Sequence, residues 1–124
     1  MPLYTVITQE HALSGETKRK IAAEITRIHT AVMKVPRGFV RVVFLSYPAA
    51  SGYTAGVEAS TAALNCVVRS GHGVAEKKEM LQQLWSMFKN LTGIANDQLA
   101  ISLQEIPSSN AMEMGRIMEA AGPE

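Results

Sequence analysis

Proline at position 2, directly behind Met1, is the first residue whose type and place could do chemistry. Aminopeptidases remove an initiator Met when a small residue or proline follows, and the chain would then begin on a secondary amine. An α-amino group has an unperturbed pKa of about 8, so burial or a nearby cation brings it into range for general-base work. Arg69 is the second candidate. It precedes Ser70, Gly71, His72 and Gly73, a glycine-rich turn where a guanidinium fork would hold a carboxylate bidentately and the N–H groups of a following helix would favour an anion. The alternative is an ordinary surface arginine closing a strand. Glu113, between Met112 and Met114, would have its pKa raised by partial burial and could then donate a proton or activate water. On a solvated helix it would simply pair with Arg116. His29 lies among apolar residues at helical spacing, where a lone histidine is more often a satisfied core residue than a catalytic one. His11 reads as a solvated loop residue.

Other chemistries lack their residues. There is no glycine-rich nucleotide fingerprint, no cysteine pair and no His-x-x-x-His spacing, and His11, His29 and His72 have no clustered carboxylates with which to build a metal site. Ser14, Ser70 and Ser102 have no nucleophile-elbow setting. Acid–base chemistry without a metal or cofactor is the expectation that remains. A formal charge of +1 with no basic stripe argues against nucleic acid as partner. The single Cys66 forms no internal disulfide, the opening residues lack the long apolar run of a signal peptide, and no stretch is long enough to span a bilayer. A cytoplasmic protein with no membrane partner is expected.

The elements that must position these residues come in two copies. The chain has 124 residues, 47% apolar and 19% charged, which fits one globular domain over residues 1–124. Residues 3–8 are rich in β-branched types and read as a strand. Ser14 is placed as an N-cap, and Ile21, Ile25, Ile28 and Val32 keep helical spacing, so a helix is expected over 15–33. Residues 39–45, dense in Val and Phe, predict a buried strand that Pro48 stops. Residues 48–60, full of Ala, Gly, Ser, Thr and Pro, read as a connection. The second copy has a strand at 62–69, a helix carrying Met80, Leu84, Met87 and Leu91 that Gly93 closes, and a strand at 99–103 before Pro107.

A shift of 59 superimposes Pro48 on Pro107 and the apolar helix positions on one another, giving an internal repeat of about 2–48 and 61–107. It also sets His29 opposite Phe88. The expected fold is α+β, a tandem β-α-β repeat in which right-handed crossovers put two helices on one face of a four-stranded sheet. The other face stays bare and predicts an obligate oligomer, with Met112, Met114 and Met118 as adaptable packing between chains. Arg41, mid-strand among valines, could line a neighbour's pocket or snorkel at an edge. Tyr4, Tyr47, Tyr53 and Trp85 are aromatic candidates for pocket walls or interfaces.

Pro2 at the start of a strand, the two β-α-β copies, His29, Arg69 ahead of its turn, Glu105 to Pro107 and the run from Met112 to Arg116 together resemble the tautomerase superfamily. Within it the chain is similar, over nearly its whole length, to the cis-3-chloroacrylic acid dehalogenase group. The resemblance implies a MIF-like fold assembled as a homotrimer. It further implies Pro2 as the catalytic proline, His29 as a substrate-binding histidine, Arg69 as the first of two carboxylate-binding arginines, and Glu113 as a water-activating glutamate. The chain departs at two substrate-binding positions: His72 stands where the dehalogenase has its second arginine, and Ser102 where it has a tyrosine. Its end at Glu124, short of the tail such proteins often carry, suggests a more open pocket and room for a larger substrate.

The activity implied is a cofactor-free tautomerase acting on a small carboxylate, a 2-oxo acid or its enol such as phenylpyruvate, with Pro2 as base. The alternative is hydration or hydrolytic dehalogenation of a 3-haloacrylate-like acid, with Pro2 as acid and Glu113 activating water. His72 is cationic only when protonated, so it polarises an acrylate less than an arginine does. Decarboxylation of a malonate-semialdehyde-like acid is a third enzymatic possibility. A non-catalytic assembly module is the reading from another class, and a retained Met1 would favour it, because the Pro2 nitrogen would then be an amide.

Overall fold

The computed structural model describes residues 1–118. Strand β1 (Leu3–Gln9) leads through helix α1 (Gly15–Met33) to β2 (Arg41–Tyr47). A small antiparallel hairpin, β3 (Tyr53–Thr54) and β4 (Val57–Glu58), precedes the second unit: β5 (Ala62–Arg69), α2 (Val74–Thr92) and β6 (Leu99–Ile106). A second hairpin, β7 (Met112–Glu113) and β8 (Arg116–Ile117), follows.

Both helices start and stop where side-chain chemistry dictates. The Ser14 hydroxyl accepts from the Thr17 N–H at 3.1 Å, satisfying one of the orphan donors of the first turn of α1. Glu76 accepts from the Gly73 N–H at 3.2 Å at the start of α2. Gly93 ends α2 at φ 70°, a left-handed conformation that glycine adopts without a Cβ clash, and its N–H donates to the Lys89 carbonyl.

The main sheet runs β2-β1-β5-β6, with β1/β2 and β5/β6 parallel and the central β1/β5 pair antiparallel. Alternation assigns its two faces. Tyr4, Val6, Ala62, Leu64, Cys66 and Val68 turn to one side and are buried with Ile21, Ile25 and Ile28 of α1 and Met80, Leu84 and Phe88 of α2. Leu3, Val43 and Leu45 turn to the other, and stand 38, 44 and 52% exposed. The expected layer of two helices on one sheet face is present, and the opposite face is bare in a single protomer.

Three expectations are corrected. The strand expected as buried over 39–45 begins at Arg41, because Phe39 lies in a 3-10 turn (Arg37–Phe39), and no residue of β2 is fully buried. As the outer strand it has a neighbour on one side only, and its odd residues lie on the bare face. Strand β6 runs three residues beyond Leu103, to Ile106. Its polar end is held by Lys77, which donates to Glu105 at 2.7 Å and keeps that carboxyl below the usual carboxylate range. The connection over 48–60 contains the β3–β4 hairpin. Gly52 is packed beneath Tyr47 there, and the Tyr47 hydroxyl donates to the Thr61 carbonyl at 2.5 Å.

Candidate active site

The amino end of β1 is where the chemistry-bearing residues gather. Pro2 is fully buried just ahead of the strand, and its carbonyl accepts from the Arg41 N–H at 3.2 Å. That bond fixes Arg41, first residue of β2, beside the chain terminus; the register continues with Leu3 opposite Arg41. Because β5 runs antiparallel to β1, its carboxyl end returns to the same place. Arg69 is the last residue of β5, half-buried, and its charge acts on the amino terminus together with that of Arg41.

A buried carboxylate meets that positive charge. Glu113 is on a hairpin and not on the solvated helix considered from sequence, and Arg116 is its backbone register partner there. Residues 112–117 form the β7–β8 hairpin, turning at Met114 and Gly115 with φ of 54° and 76°. Its carboxylate is buried, with Oε1 against the amino group of Met1 and Oε2 3.7 Å from Arg41 Nη2. Met112 and Met114 are exposed around it and Met118 is half-buried.

The amino group is held at about 6, below the ordinary 8, by burial first and then by Arg41 and Arg69. The Glu113 carboxylate at the same nitrogen pulls in the opposite direction, toward the ammonium form.

His29 forms the inner wall. It is fully buried on the sheet-facing side of α1, and its Nδ1 is 2.6 Å from the Tyr4 hydroxyl, with the two rings edge to face. Its Nε2 is buried with no hydrogen-bond partner among the described residues. Burial, His72 and the amino terminus push the imidazole down to about 3. The satisfied core histidine expected by default therefore describes only half of the ring. His72 precedes α2 with its side chain nearly covered and Nδ1 3.7 Å from Glu76 Oε2, and its charge acts on His29 and Glu105.

Pro2, His29, Arg69, His72 and Glu113 are thus brought to one end of the sheet. Ser102 is not. It is exposed on the bare face, where its hydroxyl donates to Asn65 Oδ1 at 2.8 Å. Its register partner Asn65 is four residues from Arg69, about 13 Å along the strand. Two contributors were undifferentiated in the sequence. Tyr4 stood among several aromatics, although its even position in β1 already turns it inward beside Pro2. Arg41 read as an edge residue, and only its register with Leu3 reveals its place beside Glu113. Among the described residues no group of His, Cys, Asp and Glu could hold a metal ion, and no helix is long and apolar enough to cross a membrane.

This geometry has counterparts in known proteins. The crystal structure of native Ps01740 superimposes with a TM-score of 0.88 at 30% identity, over 90% of this chain and 99% of that one. N1, a member of the cis-3-chloroacrylic acid dehalogenase family, gives 0.91 at 24% identity, over 97% of this chain and 85% of that one. The Q0 fused 4-OT, described as a symmetric trimer, gives 0.85 at 22% identity, over 98% and 99%. No curated protein matches the chain by sequence. The model of the Tautomerase_3 family, described by its oxalocrotonate tautomerase enzyme, matches residues 1–113. That match runs from Met1 to the glutamate whose carboxylate meets the Met1 amino group, and the chain belongs to this family of the tautomerase superfamily.

Proposed function

We propose that the protein is a cofactor-free tautomerase that interconverts a 2-oxo acid and its enol, with phenylpyruvate as a representative substrate. Removal of Met1 would leave the Pro2 nitrogen as the chain's amine. It takes the proton from the enol oxygen and returns one to carbon, and the reverse direction uses the same two transfers. Arg69 holds the carboxylate, His72 lies beside it, and His29 hydrogen-bonds a carboxylate or carbonyl oxygen. The observation that supports this most is the setting of the chain start, where partial burial and the Arg41 and Arg69 guanidinium groups lower the Met1 amine and would bias a Pro2 amine at the same place toward the neutral base.

The proposal includes a single domain over residues 1–124 working in a homotrimer whose subunits cover the bare sheet face. In that assembly Ser102 reaches a substrate only across a subunit boundary.

Intact mass and a phenylpyruvate assay test the reading together. The expected result is loss of one Met, with kcat/KM rising to a plateau through an apparent pKa below the ordinary 8 of an α-amine, the direction in which burial, Arg41 and Arg69 act at this place. Pro2→Ala keeps a primary amine and should retain a residue of the activity, roughly 100-fold down. Native protein that keeps Met1 and turns nothing over would overturn the proposal in favour of an inert assembly module.

One observation favours a second reading. Glu113 is buried against the amino group, where it could activate water while a protonated Pro2 delivers a proton to the carbon of an unsaturated or halogenated acid. A Pro2 nitrogen that titrates well above 7 by 15N NMR, with turnover of 3-haloacrylates, would select this hydratase chemistry over tautomerisation.

A further inference from the structure

Tyr4 and His29 are the most deeply buried polar pair in the described residues, both at 0% exposure, and their 2.6 Å contact joins β1 to α1. A contact this short lies in the range of O–H donors and below the usual N–H···O distance. Cys66 is the register partner of Tyr4 across the β1–β5 ladder and is buried with it. Burial raises both the phenol and the thiol, the latter to about 12, so each keeps its proton at neutral pH.

Two neutral groups in contact allow two directions of donation. In one, the phenol donates to Nδ1, which leaves the ring proton on Nε2. In the other, Nδ1–H donates to the phenol oxygen. The first places the strongest donor on the strongest acceptor. In either direction Nε2 is left buried with no partner among the described residues, and such an atom is costly unless a ligand supplies a partner.

We propose that Tyr4 is a positioning residue for His29: its hydroxyl holds the imidazole as the neutral tautomer protonated on Nε2, leaving that N–H to bind an oxygen of the substrate acid. The tautomer stands independently of the reaction; the substrate oxygen rests on the tautomerase reading above. His29 on this account discriminates by donation alone and carries no charge to compete with Arg69 for the carboxylate.

Two-bond 1H–15N correlation on uniformly labelled protein at pH 7 reports the ring's tautomer directly. The expected wild-type spectrum shows one His29 form, with Nε2 protonated and Nδ1 bare. Tyr4→Phe keeps the ring packing and should turn this into exchange between tautomers. It should lower kcat/KM for phenylpyruvate about three- to tenfold, mainly through KM, without moving the limb of the pH profile that reports the terminal amine. A wild-type ring protonated on Nδ1, doubly protonated or averaged would overturn the proposal, and so would an unchanged tautomer in Tyr4→Phe. If that variant does not fold, the wild-type spectrum still decides. Absence of phenylpyruvate turnover with the tautomer as expected would remove the functional reading and leave this one standing.

Discussion

At the scale of single residues, the site opposes a carboxylate to two guanidinium groups across one amine, and removing each partner has a definite sign. Glu113→Gln deletes the charge that favours the ammonium form, so the acidic limb of the kcat/KM profile should move to lower pH. Arg41→Ala deletes a cation that disfavours it, and the limb should move up. Arg69→Ala should shift it the same way and also raise KM for acids, and an unchanged KM would place Arg69 outside the substrate site. His29 makes a separate prediction about stability. Its folded pKa near 3 is below the unfolded 6.5, so the unfolded chain binds its proton first as pH falls. The His29 contribution is complete above about pH 6.5 and is lost toward pH 3, at about 1.4 kcal/mol per pH unit within that window. Urea melts at pH 7.5 and 4.5 should show the loss, and a His29→Gln variant should show a shallower one. Pro2, Arg69 and Glu113 stood out as candidates in the sequence because their chemistry is intrinsic to the residues. The Tyr4–His29 bond and the place of Arg41 were not, because both depend on which strand lies beside which.

At the scale of elements, legibility followed local chemistry. Helix α1 was readable to the residue from Ser14 and the isoleucine spacing, and the end of α2 from Gly93, since caps and periodicity are properties of neighbouring residues. Strand β2 was misjudged as buried because a run of Val and Phe looks the same whether a second layer covers it or the surface is open. The β3–β4 hairpin escaped notice because its strands are two residues each and its key position is a glycine chosen for space. A Cβ on Gly52 would lie 2.6 Å from the Tyr47 ring and 2.7 Å from the Ala59 carbonyl. Gly52→Ala should therefore cost about 1–3 kcal/mol in urea or thermal melts, although its backbone needs no special φ. A substitution at Gly38, where nothing lies within 4 Å, is the natural control.

At the scale of the whole molecule, the exposed stripe of Leu3, Val43 and Leu45 is the feature a single chain does not resolve. In the proposed trimer the native protein should sediment at three times the 13.4 kDa of one chain. Leu45→Asp, which puts a charge on that stripe, should reduce it to monomer at micromolar concentration. A wild-type monomer would show that something other than sister subunits covers the stripe. The antiparallel seam between β1 and β5 carries a further consequence. It gives the sheet a near two-fold character, so the far end has a place equivalent to Pro2, and a shift of 59 puts Thr61 there. Thr61 is internal to the chain, and its carbonyl is tied to the Tyr47 hydroxyl. One half of the internal repeat thus has no chain terminus to offer, and a reagent that captures the terminal amine should stop at one equivalent per polypeptide, however many β-α-β units the assembly contains.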